Sequence, residues 1–289
     1  NAVRVQANRI YTIDKQTFEL DFIETTQWNF SQTVNNYDSL FETFEQAVKD
    51  RHEPGITTYM LSAGIDSGAV VCCARKFFND DMYTITKIGI DDPQVLAQRL
   101  RMQKTPLIDR LDDYDFIPAT TEMFQRYNFR NVRDHTARAL TAILQNHLLP
   151  RKQKICIWGT GGDDIYDDYQ PHKKAYGRVG KVIGSWPGDL RTIYPWHNYE
   201  NTRLHNQLHR GDMICGHHGI EERHPLTDQR VFQKWLNTTS LLKNAGHKHW
   251  LVQYLKEHDY PISPFMTGFA NRKNLSESLW SMDLHENDS

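Results

Sequence analysis

The chain holds 289 residues with a formal net charge of -2, 39% apolar and 24% charged residues, the proportions of an ordinary soluble globular protein. That length suits one large domain, or one domain with a smaller appendage, and the near-zero charge removes any global reason to expect nucleic acid or an anionic membrane as partner. No apolar run approaches the ~20 residues that span a bilayer and the start lacks a secretory pattern, so a cytoplasmic address is expected.

In chain order, alternating apolar positions in Val3 to Ile23, interrupted at Asp14 to Gln16, predict two short antiparallel strands joined by a turn. Leu40, Phe41, Phe44 and Val48 recur at helical spacing within an amphipathic helix from Tyr37 to Asp50. Ile56 to Leu61 reads as a strand, followed by a small-residue loop and a buried helix from Gly68 to Phe78. A strand from Met82 to Ile90 precedes a helix from Pro93 to Met102, with Pro93 at an early helical position. A helix from Asp134 to Leu149 then leads to the strand Lys154 to Trp158. From Tyr169 to Gly216 periodicity is weak, and loops and short helices are expected, forming a cover over the site. Asp228 to Leu236 and His247 to His258 read as helices, and the tail from Asp283 to Ser289 as frayed.

Strands alternating with helices predict an α/β fold: a doubly wound, mostly parallel sheet with helices on both faces. A short N-terminal β-hairpin and a helical C-terminal part complete it. Residues 1–30 form strands and linker, and 31–289 the main domain. Cys72, Cys73, Cys156 and Cys215 lack the short paired spacings of a zinc site and read as reduced core residues.

Two turns carry the chemistry. The strand ending in Leu61-Ser62-Ala63-Gly64-Ile65-Asp66-Ser67 opens into a helix, whose N-terminus attracts phosphate through its unsatisfied N–H groups and its dipole. Gly64 permits close backbone approach, and the hydroxyls of Ser62 and Ser67 add donors. Asp66 would repel ATP unless a divalent cation stood between them, so Mg2+ is implied. The plainer reading is a tight turn into a helix capped by Asp66 or Ser67. A second strand and glycine-rich turn, Ile155 to Tyr166, ends in Asp163 and Asp164, where Asp66 and Asp163 could share one magnesium; here too the alternative is a helix cap. In a parallel sheet both turns lie at strand C-termini, where ligands of open α/β folds collect.

In these two turns the chain resembles the synthetase domain of the asparagine synthetase family, within the ATP pyrophosphatases whose phosphate loop reads SGGxDS. Here that loop is SAGIDS. The GEGxDE landmark is matched by GTGGDDIYDDY from Gly159 to Tyr169, with His172 and Lys173 after it. RxPFLD is matched by Arg223 to Asp228, and the GK motif by Gly246 to Val252 followed by Tyr260-Pro261. Four landmarks in family order cover roughly residues 36 to 270.

The resemblance implies an adenine nucleotide alpha hydrolase-like fold and an AMP-forming ligase, in which a substrate carboxylate attacks the α-phosphate of ATP and an amine or ammonia then displaces AMP. It assigns pyrophosphate to Ser62 to Ser67, magnesium to Asp66 and Asp163, charge neutralisation to Lys248, and the nucleoside to the backbone around Leu61, Ile88 and Gly159. Asparagine-forming members carry glutamate where this chain has Thr160, and a threonine hydroxyl cannot act unaided as a general base near neutral pH. Ala63 replaces a loop glycine, which requires a negative φ there. Asp164 replaces glutamate and Val252 arginine.

No glutaminase domain with a terminal catalytic cysteine is present, and the start at Asn1 points to a cleaved or separately encoded one. Two further readings remain: an intramolecular cyclase of β-lactam synthetase or lasso-peptide type, and a non-catalytic nucleotide-binding subunit. The histidines at 217–218, 247–249 and 224 show no HExxH spacing and read as surface or loop residues.

Overall fold

The computed structural model describes residues 9–24, 27–79, 83–87, 92–109, 122–123, 140–166, 169–170, 180–181, 186–194 and 203–263. The first two elements are β1 (Arg9–Ile13) and β2 (Leu20–Glu24), paired antiparallel with Ile10 opposite Ile23 and Tyr11 opposite Phe22. The turn between them is held by the Asp14 carboxylate, which accepts from the backbone N–H groups of Gln16 and Thr17 at 2.8 Å. Ile10, Ile13, Leu20, Phe22 and Ile23 all remain exposed on this hairpin.

Five parallel strands form the central sheet: β3 (Thr57–Met60), β4 (Tyr83–Lys87), β5 (Pro106–Asp109), β6 (Ile155–Ile157) and β9 (Glu221–Arg223), in the order β5-β4-β3-β6-β9. All of β3 and β6 is buried, as a parallel sheet covered on both faces requires. Strand alternation divides the core in two. Tyr59 and Ile157 face α1 (Asp38–Lys49), α2 (Ile65–Phe78) and α3 (Pro93–Arg101), joined there by α6 (Gln229–Asn237) and α8 (His249–Glu257). Met60 and Cys156 face the other way, onto a helical segment at 140–148 and onto Ile214 and Cys215 of α5 (Arg203–His217). The doubly wound, parallel character of the sheet is therefore as the alternation of strands and helices predicts.

Helix caps follow the residue types. Asp92 accepts from the N–H groups of Gln94 and Val95 at the start of α3, where Pro93 holds the first helical position and loses no intrahelical bond. Asp228 accepts from Arg230 N–H at the start of α6. On α6 the apolar stripe is Val231, Phe232, Trp235 and Leu236, and on α8 it is Trp250, Leu251, Tyr254 and Leu255.

Several expectations change. Helix α2 starts at Ile65 rather than Gly68, because Gly64 is extended (φ -65, ψ 157) and already serves as N-cap. Ile65, Asp66 and Ser67 thus belong to its first turn, and the loop shrinks to Ser62–Gly64. The stretch from Tyr169 to Gly216 holds, besides the short pair β7 (Tyr169–Gln170) and β8 (Gly180–Lys181), the fifteen-residue helix α5. Its apolar residues are few among histidines and charges, which blurred its period. Strands β5 and β9 were not foreseen: β9 reads Glu-Glu-Arg and sits at the sheet edge, where tertiary pairing overrides propensity. Of the helix placed at Asp134 to Leu149, residues 134–139 lie outside the described residues; 140–143 are α-helical and Leu144–Leu148 close it as a π-helix. Val3, Val5, part of the strand at Met82 to Ile90, His172, Lys173 and the C-terminal tail lie outside the described residues. No described helix is long and apolar enough to cross a membrane.

Candidate functional site

The chain runs β3, β4, β5 outward across the sheet and then returns to place β6 on the other side of β3. The strand order therefore reverses between β3 and β6, and the crevice at their C-terminal ends is where open α/β sheets receive ligands. The two turns singled out in the sequence leave the sheet from these two strands. Their register, Tyr59 opposite Ile157, brings them out side by side.

Their contact is close enough to dictate sequence. A Cβ on Gly159 would run into the backbone of Ser67, and one on Gly162, the first residue of α4 (Gly162–Ile165), would run into the Asp66 carboxylate. Gly161, the cap of α4, has φ 102, a left-handed conformation that glycine adopts without strain. Thr160 is half-buried between these glycines.

Within the first turn, Leu61 is buried and its N–H bonds the carbonyl of Ile85 at 2.8 Å. Ser62 Oγ and Ser67 Oγ lie 2.6 Å apart, and Ser62 Oγ accepts from the N–H of Gly64 at 3.1 Å. Ala63 is absent from the residues with positive φ, so its replacement of glycine meets the condition set by its side chain. Beneath the loop lies Arg99 of α3, fully buried, donating to the carbonyls of Ser62 and Gly64.

Lys248 is the centre of the site. Its Nζ donates to both carboxylate oxygens of Asp66, at 2.7 and 2.6 Å, and is paired with Asp163 Oδ1. It is the residue before α8 and stands at φ 45, ψ 42, a conformation unfavourable for a side chain with a Cβ and kept only where surroundings enforce it. Burial pushes the Asp66 carboxyl up to about 7; Lys248 opposes this shift, while the like charge of Asp163 adds to it. Burial works against the Lys248 ammonium as well, but Asp163 and Asp66 outweigh it and hold its pKa above the ordinary lysine value. One buried cation thus serves two carboxylates from two different turns.

The structure brings together Ser62, Gly64, Ile65, Asp66, Ser67, Gly159, Asp163 and Lys248, with Leu61 and Thr160 on the same two turns. Ile88 lies outside the described residues. Among the described residues no group of three or more His, Cys, Asp or Glu side chains converges as a metal site, so any cation at Asp66 and Asp163 would complete its shell with water and phosphate oxygens. The convergence of two carboxylates on one positive charge is the donor chemistry such an ion takes.

The remaining landmarks are structural. Arg223 donates to the carbonyl of Arg51 at 2.8 Å and chelates Glu221; Asp228 caps α6 and accepts from Arg51 at 2.8 Å. Tyr166 donates to the carbonyl of Leu226 at 2.6 Å, under the rings of Trp235 and Trp250. His249 is no loose surface residue: its Nδ1 is 2.9 Å from the Tyr37 hydroxyl and its Nε2 2.9 Å from Gln253. Sequence reading missed Arg99, since an arginine amid a helical charge pattern carries no signal of burial, and missed Gly162, whose reason is a neighbour 96 residues away. All four cysteines are free and buried. Compared with family models and with curated proteins, the chain matches none.

Proposed function

We propose that this protein is an ATP-dependent, AMP-forming carbon–nitrogen ligase of asparagine synthetase type, with an adenine nucleotide alpha hydrolase-like sheet. The observation that carries the reading is the meeting of Asp66 and Asp163, from two turns at the sheet's switch point, on one cationic side chain beside the N-terminus of α2.

In the reaction, a substrate carboxylate oxygen forms a bond to the α-phosphorus of ATP, the α–β bridging bond breaks, and its electron pair leaves with pyrophosphate. The acyl-adenylate is then attacked by an amine or ammonia, AMP departs, and the amine loses a proton. The N–H groups at the start of α2, with the hydroxyls of Ser62 and Ser67, hold the pyrophosphate. Asp66 and Asp163 would hold magnesium, which when bound offsets the charge between carboxylates and phosphate oxygens. Lys248, whose ammonium lies on both of these carboxylates, would neutralise the negative charge that develops on the leaving pyrophosphate. Thr160 stands where the asparagine-forming members carry glutamate, so the proton acceptor has to come from elsewhere, including the incoming amine itself.

The test is pyrophosphate release from ATP and Mg2+ over a library of carboxylates, with and without ammonium. Release that depends on one carboxylate is expected, and Asp66→Asn and Asp163→Asn should each abolish it in a protein that still folds. A requirement for ammonium assigns an ammonia-using synthetase, with or without a separate glutaminase; release and product without it assign an intramolecular cyclase. Unchanged release in both aspartate variants would remove the site, and no release or ATP binding under any condition would remove the enzyme.

A further inference from the structure

We propose that Arg99 is a positioning residue for the phosphate loop, turning its N–H groups toward the ligand from below; the proposal rests on the phosphate reading of that loop. Arg99 lies wholly inside the protein. Its Nη1 donates to the carbonyls of Ser62 (2.5 Å) and Gly64 (2.8 Å), while Nε and Nη2 both donate to the carbonyl of Pro261, at 3.0 and 2.8 Å.

A trans peptide unit points its C=O and the following N–H in opposite directions. Drawing the Ser62 and Gly64 carbonyls onto one guanidinium therefore turns the N–H groups that follow them away from it, and that of Ile65 opens the helix terminus to which the phosphate reading assigns the pyrophosphate. A planar fork suits this task and a lysine does not, because two loop carbonyls and Pro261 are engaged from fixed directions at once.

The surroundings are cut to this guanidinium. A Cβ on Gly68 would lie 2.5 Å from Nη2 and 2.6 Å from Nη1, so the second turn of α2 has no side chain where Arg99 passes. The Tyr260 ring stands 5.1 Å from the guanidinium carbon on the other side. Pro261 is fixed in turn, since Ser263 Oγ donates to Asp92 Oδ2 at 2.8 Å and Asp92 caps the helix that carries Arg99. The loop is thus anchored through one side chain to the segment that follows α8.

Inorganic pyrophosphate with MgCl2, titrated calorimetrically into protein shown folded by circular dichroism, tests this. Arg99→Met and Gly68→Ala, which remove or displace the guanidinium, should each weaken pyrophosphate binding tenfold or more. Arg99→Lys should recover part of the loss. Arg75→Met, which deletes a comparable 2.7 Å bond to the Met102 carbonyl away from the loop, should stay within twofold of the parent. Because affinities are compared on folded molecules, lost stability alone does not move them. Should Arg99→Met fail to fold, Gly68→Ala and Arg99→Lys decide. Folded Arg99→Lys and Gly68→Ala within twofold of the parent overturn the proposal and leave the phosphate reading standing. A parent that binds neither pyrophosphate nor ATP overturns both.

Discussion

Lys248 lies on the two carboxylates to which the proposed function assigns magnesium, and this makes the site's charge balance measurable without any substrate. Two partly covered carboxylates share one buried ammonium, and because Asp163 is a third exposed, deleting that ammonium should cost less than the about 3–5 kcal/mol typical of a fully buried pair. In Lys248→Met the Asp66 carboxyl, raised by burial and by Asp163 even in the parent, loses the charge that opposed the shift. A carboxyl whose folded pKa lies above its unfolded value binds more protons when folded, so stability falls as pH rises through that window. Lys248→Met should therefore show a thermal midpoint that rises as pH is lowered from 8 to 5. Millimolar Mg2+ should stabilise it more than it stabilises the parent. A midpoint independent of pH and magnesium would mean that the two carboxylates do not form a cation site.

Helix boundaries and caps govern the next scale. Asp228 is the cap of α6 and also accepts from Arg51 and Arg230, at 2.8 and 2.8–3.0 Å. Burial opposes its charge, but these donors hold its carboxyl down at about 2. Its contribution, about 2 kcal/mol by linkage, is present above the ordinary value near 3.8 and is lost as pH falls from there toward 2. Asp228→Asn keeps the cap but not the charge, and should flatten the urea midpoint across that range relative to the parent. The elements that are legible in the sequence share a trait: a strong apolar period, as in α1 and α8, joined in α3 and α6 by an aspartate cap, or a β-rich run between breakers, as in β3 and β6. Those that were not legible depend on neighbours distant in the chain. The edge strand β9 is ordered by pairing with β6, and α5 by Ile214 and Cys215 in one core and Leu204 in the other. The site divides similarly. Residue types and spacing singled out Asp66 and Asp163, and Lys248 came only from the resemblance; the ammonium lying on both carboxylates, the left-handed backbone of Lys248 and the arginine under the loop arise only once the helices are assembled.

Among the described residues, the largest scale sets a sheet with two covered faces beside a hairpin whose large apolar side chains are exposed. A two-stranded hairpin is marginally stable by itself, and five exposed large apolar side chains over β1 and β2 make it the most adhesive part of the described surface. Ile13→Ser combined with Phe22→Ser should change the unfolding free energy of the body by less than about 0.5 kcal/mol while reducing self-association in light scattering. A large loss of stability would show that the hairpin belongs to the folding unit. At the opposite extreme of intimacy stand the two strand-end turns, where glycine at 159 and 162 leaves no space for so much as a methyl group between them. Surfaces that interlock this tightly cannot slide or open independently, so the site cannot work as a pair of jaws. On the proposed function, whatever closes over a nucleotide has to descend from other parts of the chain onto a floor that is cast in one piece.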